Sequence, residues 1–280
     1  MAGPHGWWPA VCIEQYPAIM IIWFSGNGNS RAAASRLSED IGEPMEFLMG
    51  FDRKAPEVTL REGETLGFVW PVYCWAPPRV VEDFVSRLTV HSPSAPYVWF
   101  AATYGDSAGR AEEVFRKALG KAGLQLDAAF GLTMPETYVN FADMALDTPE
   151  NAQRKYSQAR EDLSAIAADI LARRRVSRLV RGSMPWIDTY IVRPIFYRFL
   201  VTDRKWKVDT ESCTGCGKCS RVCPFGNISI EDGHPRWNGN CTTCNACYHN
   251  CPSAAISFGR ATRGKGQYPM VKDDILLENR

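Results

Sequence analysis

Between residues 18 and 138, short β-branched and aromatic runs alternate with stretches whose apolar residues recur every three or four positions. The runs at 18–24, 65–72, 95–102 and 128–134 predict strands, and the spacing at 31–41, 79–88 and 109–122 predicts helices. A run at 45–51 carries the weakest strand signal. Strands alternating with helical segments predict an α/β fold, a doubly wound parallel sheet with helices on both faces. Residues 151–181 are helical in spacing and end in a run of arginines. Gly182, Ser183 and Pro185 break that pattern, an aromatic-rich amphipathic segment follows to about residue 201, and 203–209 reads as a linker.

Downstream the pattern repeats. Residues 213–230 match 241–258 at an offset of 28 residues, down to the Ile-Ser pairs at 228–229 and 256–257. Each copy is a cysteine run: Cys213, Cys216, Cys219 and Cys223 before Pro224, then Cys241, Cys244, Cys247 and Cys251 before Pro252. Three cysteines at intervals of three form a tight loop whose thiolates meet three corners of a cubane, while the fourth points away and serves the other cluster. By that rule Cys213, Cys216, Cys219 and Cys251 hold one [4Fe–4S] cluster, and Cys241, Cys244, Cys247 and Cys223 hold the second. Zinc needs only four ligands per ion, and two complete three-plus-one runs argue against it. Over 208–258 the arrangement resembles the two-cluster bacterial ferredoxins, which implies low-potential one-electron transfer. His249, between Cys247 and Cys251, reads as an exposed spacer, because eight cysteines already fill both cubanes.

A second chemistry sits at the carboxyl ends of the predicted strands. Ser25, Gly26, Asn27, Gly28, Asn29 and Ser30 follow the first strand and open a helix. Small residues there let backbone N–H groups approach a phosphate, and the helix N-terminus favours its charge. The loop lacks the Gly-x-Gly-x-x-Gly dinucleotide pattern and the lysine of a nucleotide P-loop. Pro71, Val72, Tyr73 and Trp75 follow the third strand, and Thr103, Tyr104, Gly105 and Asp106 follow the fourth. Ligands of doubly wound sheets bind at such junctions. The constellation resembles flavodoxins, which implies FMN with its phosphate in the first loop and its ring between the other two. On that resemblance Trp75 and Tyr104 are the stacking candidates, with Tyr73 third. Asn27 stands where flavodoxins usually carry a hydroxyl residue, and Ala76 where a glycine is common. Cys74 reads as a small buried thiol, and Cys12 has no role in this reading.

Taken together, Phe24 to Ser30, the Pro71-Val72-Tyr73 stretch and both cysteine runs resemble the EFR-type flavodoxin–ferredoxin fusion proteins of anaerobic microbes. The implied organisation is an extension over 1–19, a flavodoxin-like FMN-binding domain over 20–150, a helical connector over 151–207, a small α+β two-cluster ferredoxin domain over 208–260 and a tail over 261–280. Met20 is then a candidate start of the functional fold. The implied function is electron transfer between FMN and two [4Fe–4S] clusters to a redox partner protein. The alternative is a flavin-dependent reductase fed by its own clusters, with a substrate pocket roofed by 184–201. No residues for proton chemistry on an organic substrate stand out, so no catalytic residue is assigned.

Composition narrows the setting. The 280 residues are 45% hydrophobic and 22% charged, an ordinary globular balance for two domains. Eight of ten cysteines fall at metal-ligand spacing, which points to a reducing, cytoplasmic home. The first 17 residues lack the basic start and cleavage site of a signal peptide, and Asp188, Arg193 and Arg198 interrupt the one apolar stretch near spanning length. The net charge of +1 hides an asymmetry: residues 1–150 hold 11 Lys/Arg against 19 Asp/Glu, while 151–208 hold 13 against 5. The basic stretch lacks a nucleic-acid-binding fold and suits an acidic redox partner, or the acidic front of the same chain. Membrane-surface contact through Trp186, Tyr190, Phe196 and Tyr197 is not expected.

Overall fold

The structure, a computed structural model, describes residues 20–268 and 273–276. The extension over 1–19, with Cys12, lies outside the described residues. The first half builds β1 (Met20–Trp23), α1 (Asn29–Ile41), β2 (Met45–Phe47), β3 (Glu57–Thr59), β4 (Thr65–Pro71), α2 (Arg79–Val85), β5 (Thr89–His91), β6 (Tyr97–Tyr104), α3 (Ala111–Lys121) and β7 (Ala128–Thr133). Then come α4 (Pro149–Leu171) and β8 (Ser177–Arg178). Six strands form one parallel sheet in the order β2-β1-β4-β6-β7-β8, as the alternating pattern predicts. The strand order reverses between β1 and β4, so the loops after these two strands flank the switch point.

The two faces carry separate apolar layers. Ala33 and Leu37 of α1 and Tyr156, Leu163 and Ile170 of α4 cover one face. Phe84 of α2 and Phe115 of α3 cover the other, where Trp70, Phe100 and Phe115 pack with ring centroids 4.9–5.5 Å apart. The central strands β4 and β6 are buried almost throughout, the continuous apolar run typical of a parallel sheet covered on both sides.

Three features depart from the sequence pattern. The weak run at 45–51 yields a three-residue strand and then a 3-10 turn at Leu48–Gly50. The helical spacing expected to reach 181 stops at Leu171, because Arg173 takes a left-handed φ of 49° and the Arg174 N–H returns to the Asp169 carbonyl. The chain then adds β8 to the sheet edge, so α4 and β8 pack with the sheet instead of standing apart as a connector. The exposed arginines there pair with acids of the same domain. Arg174 and Arg178 pair with the buried Asp169, Arg175 with Asp127, and Arg181 with Glu112.

The second half continues with a helical segment made of α5 (Pro185–Ile187), a π-helical turn (Asp188–Val192) and α6 (Arg193–Phe199). The cysteine-rich region contains β9 (Trp206–Val208), α7 (Lys218–Arg221), β10 (Ile228–Glu231), β11 (His234–Trp237), α8 (Ala246–His249) and β12 (Ile256–Phe258). Its small core holds Trp206, Ile228, Tyr248, Ile256 and Phe258, with Val139 inserted from the segment after β7. The chain then returns to the first domain, where the turn Asp273–Leu276 buries Leu276 against α1 and α4. Among the described residues, no helix is long and apolar enough to cross a membrane.

One buried acid sets a pH dependence. Glu43 lies at the end of the sheet away from the loops, and its carboxylate accepts the Thr65 hydroxyl, which in turn accepts the Trp99 indole N–H at 3.2 Å. Burial pushes the Glu43 carboxyl up to about 7. A carboxyl raised on folding adds its full stability below the unfolded value near 4.5 and loses it as pH climbs through 7. Glu43→Gln should therefore match the parent near pH 5 and exceed it near pH 8 by about 2–3 kcal/mol. Denaturant unfolding at the two pH values measures this, and an equal offset at both would refute it.

Candidate functional site

In the first cysteine arm, Gly215 and Gly217 hold φ near +67° and +69°, which wraps the loop tightly before α7. Gly215 has little choice, since a Cβ there would come within 3.1 Å of the Gly233 carbonyl oxygen. A small cavity is lined by Cys213, Cys216 and Cys219 of this arm and by Cys251 of the other. Burial and the neighbouring Cys251 and Cys216 push the Cys219 thiol up to about 11. Cys216 is exposed, and the Lys218 N–H and Thr214 hydroxyl hold its thiol below the usual value. The Ala255 N–H donates to the Cys251 sulfur at 3.3 Å.

The second arm copies the backbone but not the residues. Thr243 and Asn245 occupy the positions of Gly215 and Gly217, with φ of 56° and 62°, and Ala254 at 51° replaces Gly226 at 58°. A left-handed conformation costs a residue with a Cβ roughly 1–2 kcal/mol. The side chains supply the reason. Asn245 donates to the Thr137 carbonyl, and Thr243 bonds Tyr138, so this arm grips the segment after β7. Cys223 stands with this arm: the thiols of Cys244 and Cys247 rise first from burial and then from the proximity of Cys223 and Cys241, Cys244 to about 12. The Cys241 sulfur accepts the Thr243 N–H and the Trp206 indole N–H, both at 3.3 Å. Trp237 stacks over Trp206 at 6.1 Å.

The arm rests on the loop between β1 and α1. A Cβ at Gly26 would lie 2.8 Å from Cys244 Cβ and 2.7 Å from the Tyr73 hydroxyl. Asn250 donates to Asn27 Oδ1 at 3.4 Å, and Asn27 donates to the Tyr268 carbonyl at 3.0 Å. His249 is buried, not the exposed spacer its sequence position implies. Its Nε2–H donates to the Thr137 carbonyl at 2.7 Å, and Nδ1 accepts the Tyr268 N–H at 3.0 Å, which defines the tautomer. Burial pushes this imidazole down to about 4, so it stays neutral. Tyr248, His249 and Asn250 lie between motif cysteines as apparent spacers, and Tyr268 lies outside any motif. They matter through placement alone.

Within the loop, Gly28 turns with φ of 102°, and Ser25 Oγ accepts its N–H. Ser30 and Thr103 share a buried hydroxyl hydrogen bond of 2.8 Å. Asn29 donates to the Pro135 carbonyl, while its buried Oδ1 has no partner. Among the described residues, the N–H groups of Asn27, Asn29 and Ser30 also find no acceptor. Buried donors at the N-terminus of a 13-residue helix suit an anion. These residues fit the phosphate of a mononucleotide.

The ring end is built differently from the expectation. Pro71 ends β4 in register with Thr103, and the Val72 N–H bonds the Thr103 carbonyl at 2.8 Å, so these residues tie the two loops together. Cys74 and Trp75 both adopt left-handed φ, 51° and 57°. The Trp75 indole N–H reaches Ser107 at 3.3 Å, across to the other loop. Tyr104 is no stacking platform. Its ring fills the α2/α3 side of the core beside Gly131, and its hydroxyl accepts the Val180 N–H. Because side chains alternate along β6, Tyr104 points to the same layer as Ala102. Gly105 lies against Glu136 and Asp106 is exposed. The two-ring stack implied by the resemblance is therefore absent, and only Tyr73 of the three aromatics stands beside the loop and the second cysteine arm.

Residues 212–256 match the 4Fe-4S dicluster domain family. That match and the cysteine set at 213–251 support [4Fe–4S] binding and an iron–sulfur electron-transfer role. No curated protein matches the chain. Among solved structures, the Trp repressor binding protein from Bacillus subtilis is 14% identical, covers 55% of this chain and 97% of its own, and gives a TM-score of 0.34.

The Trp206 contact is testable by potentiometry. An N–H donor to a cluster thiolate stabilises the more negative, reduced state and so raises the potential. Trp206→Phe should shift the second-arm cluster downward by roughly 20–60 mV, the one-electron equivalent of a neutral hydrogen bond. A redox titration followed by electron paramagnetic resonance reads it, and two unchanged midpoints would remove the indole from the account.

Proposed function

We propose that this chain is an electron carrier in which two [4Fe–4S] clusters exchange low-potential electrons with FMN and with a redox partner protein. Cys213, Cys216, Cys219 and Cys251 hold the first cluster, and Cys241, Cys244, Cys247 and Cys223 hold the second. The backbone N–H groups of Asn27, Asn29 and Ser30, with the Ser25 hydroxyl, hold the FMN phosphate. FMN accepts one or two electrons and the clusters one each, so the flavin supplies a junction between the two kinds of chemistry.

The observation that carries this reading is the contact of Cys244 with Gly26, which sets the second cysteine arm directly on the anion loop. The first arm lies at the other end of the relay, with Cys216 exposed to a partner. The reductase alternative needs a pocket under 184–201. Instead Thr189 donates to the Trp75 carbonyl at 3.0 Å and Arg193 to the Pro77 carbonyl at 3.1 Å, closing that segment onto the loop. This favours the carrier. Tyr104 takes no part in it.

Protein purified without oxygen should contain about eight iron, eight sulfide and one FMN per chain, as two cubanes and one mononucleotide require. Full iron without flavin would leave the loop as a docking surface only. Cys251→Ser should damage the cluster of the first arm and spare that of its own arm, because the fourth ligand is exchanged. Spectroscopic loss confined to the second-arm cluster would overturn the ligand sets.

A further inference from the structure

The segment from α5 to α6 is amphipathic the wrong way round. Its polar residues face the protein: Thr189, 2% exposed, bonds the Trp75 carbonyl and accepts the Arg110 N–H, and Arg193 reaches Pro77 and Glu82. Apart from Phe196, which packs on Tyr138 and Phe141, its large apolar residues face outward. Met184, Trp186, Ile187, Ile191, Ile195 and Phe199 are 44–68% exposed. A surface helix normally buries the apolar stripe, and a contiguous exposed one marks a surface that meets something less polar than water.

The π-helical turn keeps that stripe straight. Ile187, Ile191, Ile195 and Phe199 are spaced by four residues, and in a pure α-helix three such steps would fan out by about 120°. Asp188–Val192 is wound more loosely, at roughly 4.4 residues per turn, which reduces the drift to about 30°. The four side chains therefore share one line along a rod about 22 Å long. That is shorter than the roughly 30 Å hydrocarbon core, so the rod cannot span a bilayer but can lie on one.

Charge identifies the occupant. Arg198, Arg204 and Lys205 are exposed, and among the described residues none has an ion pair, whereas Arg174, Arg175, Arg178 and Arg181 are neutralised within the first domain. Arg198 lies over the Phe199 ring at 5.9 Å, a cation beside the most exposed apolar side chain. The acids of this segment are withdrawn: Asp188 is half-buried and Asp203 accepts the Gly239 N–H. A second copy docked through the same face would set these cations against their own kind. Lipid phosphate complements them, and Trp186 and Tyr190 suit the headgroup layer.

We propose that residues 184–205 form a monotopic membrane-contact surface for anionic lipid, independent of whether the first loop holds a flavin.

The test is co-sedimentation of the full, cluster-loaded chain with extruded vesicles. Binding should be at least tenfold tighter to phosphatidylcholine containing about 30% phosphatidylglycerol than to phosphatidylcholine alone, and should weaken as salt rises. Ile191→Asp with Ile195→Asp should lower binding at least tenfold with iron content unchanged. Arg198→Glu, Arg204→Glu and Lys205→Glu together should reduce binding to the neutral-vesicle level. If the double aspartate variant loses iron, the charge variant decides. No binding to anionic vesicles, or binding that survives the charge variant, overturns the proposal. So does a dimer in analytical ultracentrifugation that the aspartate pair dissolves, which would assign the face to a second copy.

Discussion

The second cysteine arm sits on the loop between β1 and α1 with no room for even a methyl group between Gly26 and Cys244, and the placement of both domains follows from that contact. A parallel sheet exposes its ligand-binding loops at one end, and here that end is capped by another domain instead of by solvent. Asn27, Asn250 and Tyr268 link the two across the contact, while Thr137 receives both His249 and Asn245. Val139, drawn from the segment after β7, completes the apolar core of the cysteine region. The two domains are thus not beads on a linker. Each supplies part of the other's interior.

That docking explains why the duplicated arms have diverged. Both need left-handed backbone at matching positions to bring three sulfurs round one cavity. The first arm, open to solvent at Cys216, uses Gly215 and Gly217 and avoids strain. The second uses Thr243 and Asn245, and their side-chain bonds to the strap at 137–138 offset a conformational cost of roughly 1–2 kcal/mol each. Burial, an indole donor from Trp206 and the stacked Trp237 make the second site the less hydrated of the two.

The charge asymmetry resolves in the same intramolecular way. Most of the basic run that closes α4 is spent on Asp127, Asp169 and Glu112, acids of the sheet domain, and fastens β8 to the sheet edge. Arg198, Arg204 and Lys205 have no ion pair among the described residues and stay exposed, beside a helix that shows most of its apolar side to the outside. Folding has separated one basic stretch into a structural part and an exposed part.

The sequence by itself determined the parallel α/β layer, the cluster-binding region and the Gly/Ser loop after the first strand, because each depends on local signals. Strand and helix periods, cysteine intervals and a Gly/Ser loop after a strand all act over fewer than about a dozen residues. It also overstated what local signals can say. Tyr104 sits in a loop motif, yet strand alternation carries its ring into the core, and His249 sits between two cysteines, yet docking buries it. The helical spacing to 181 gave way to β8 because a sheet edge offered hydrogen bonds that an isolated helix end lacked. Which face of the 184–199 segment meets water was equally invisible, since an amphipathic pattern names two faces without saying which one packs. Those choices belong to the tertiary structure alone: they are contests between burial sites far apart in the chain, and only the assembled fold brings the competitors into contact.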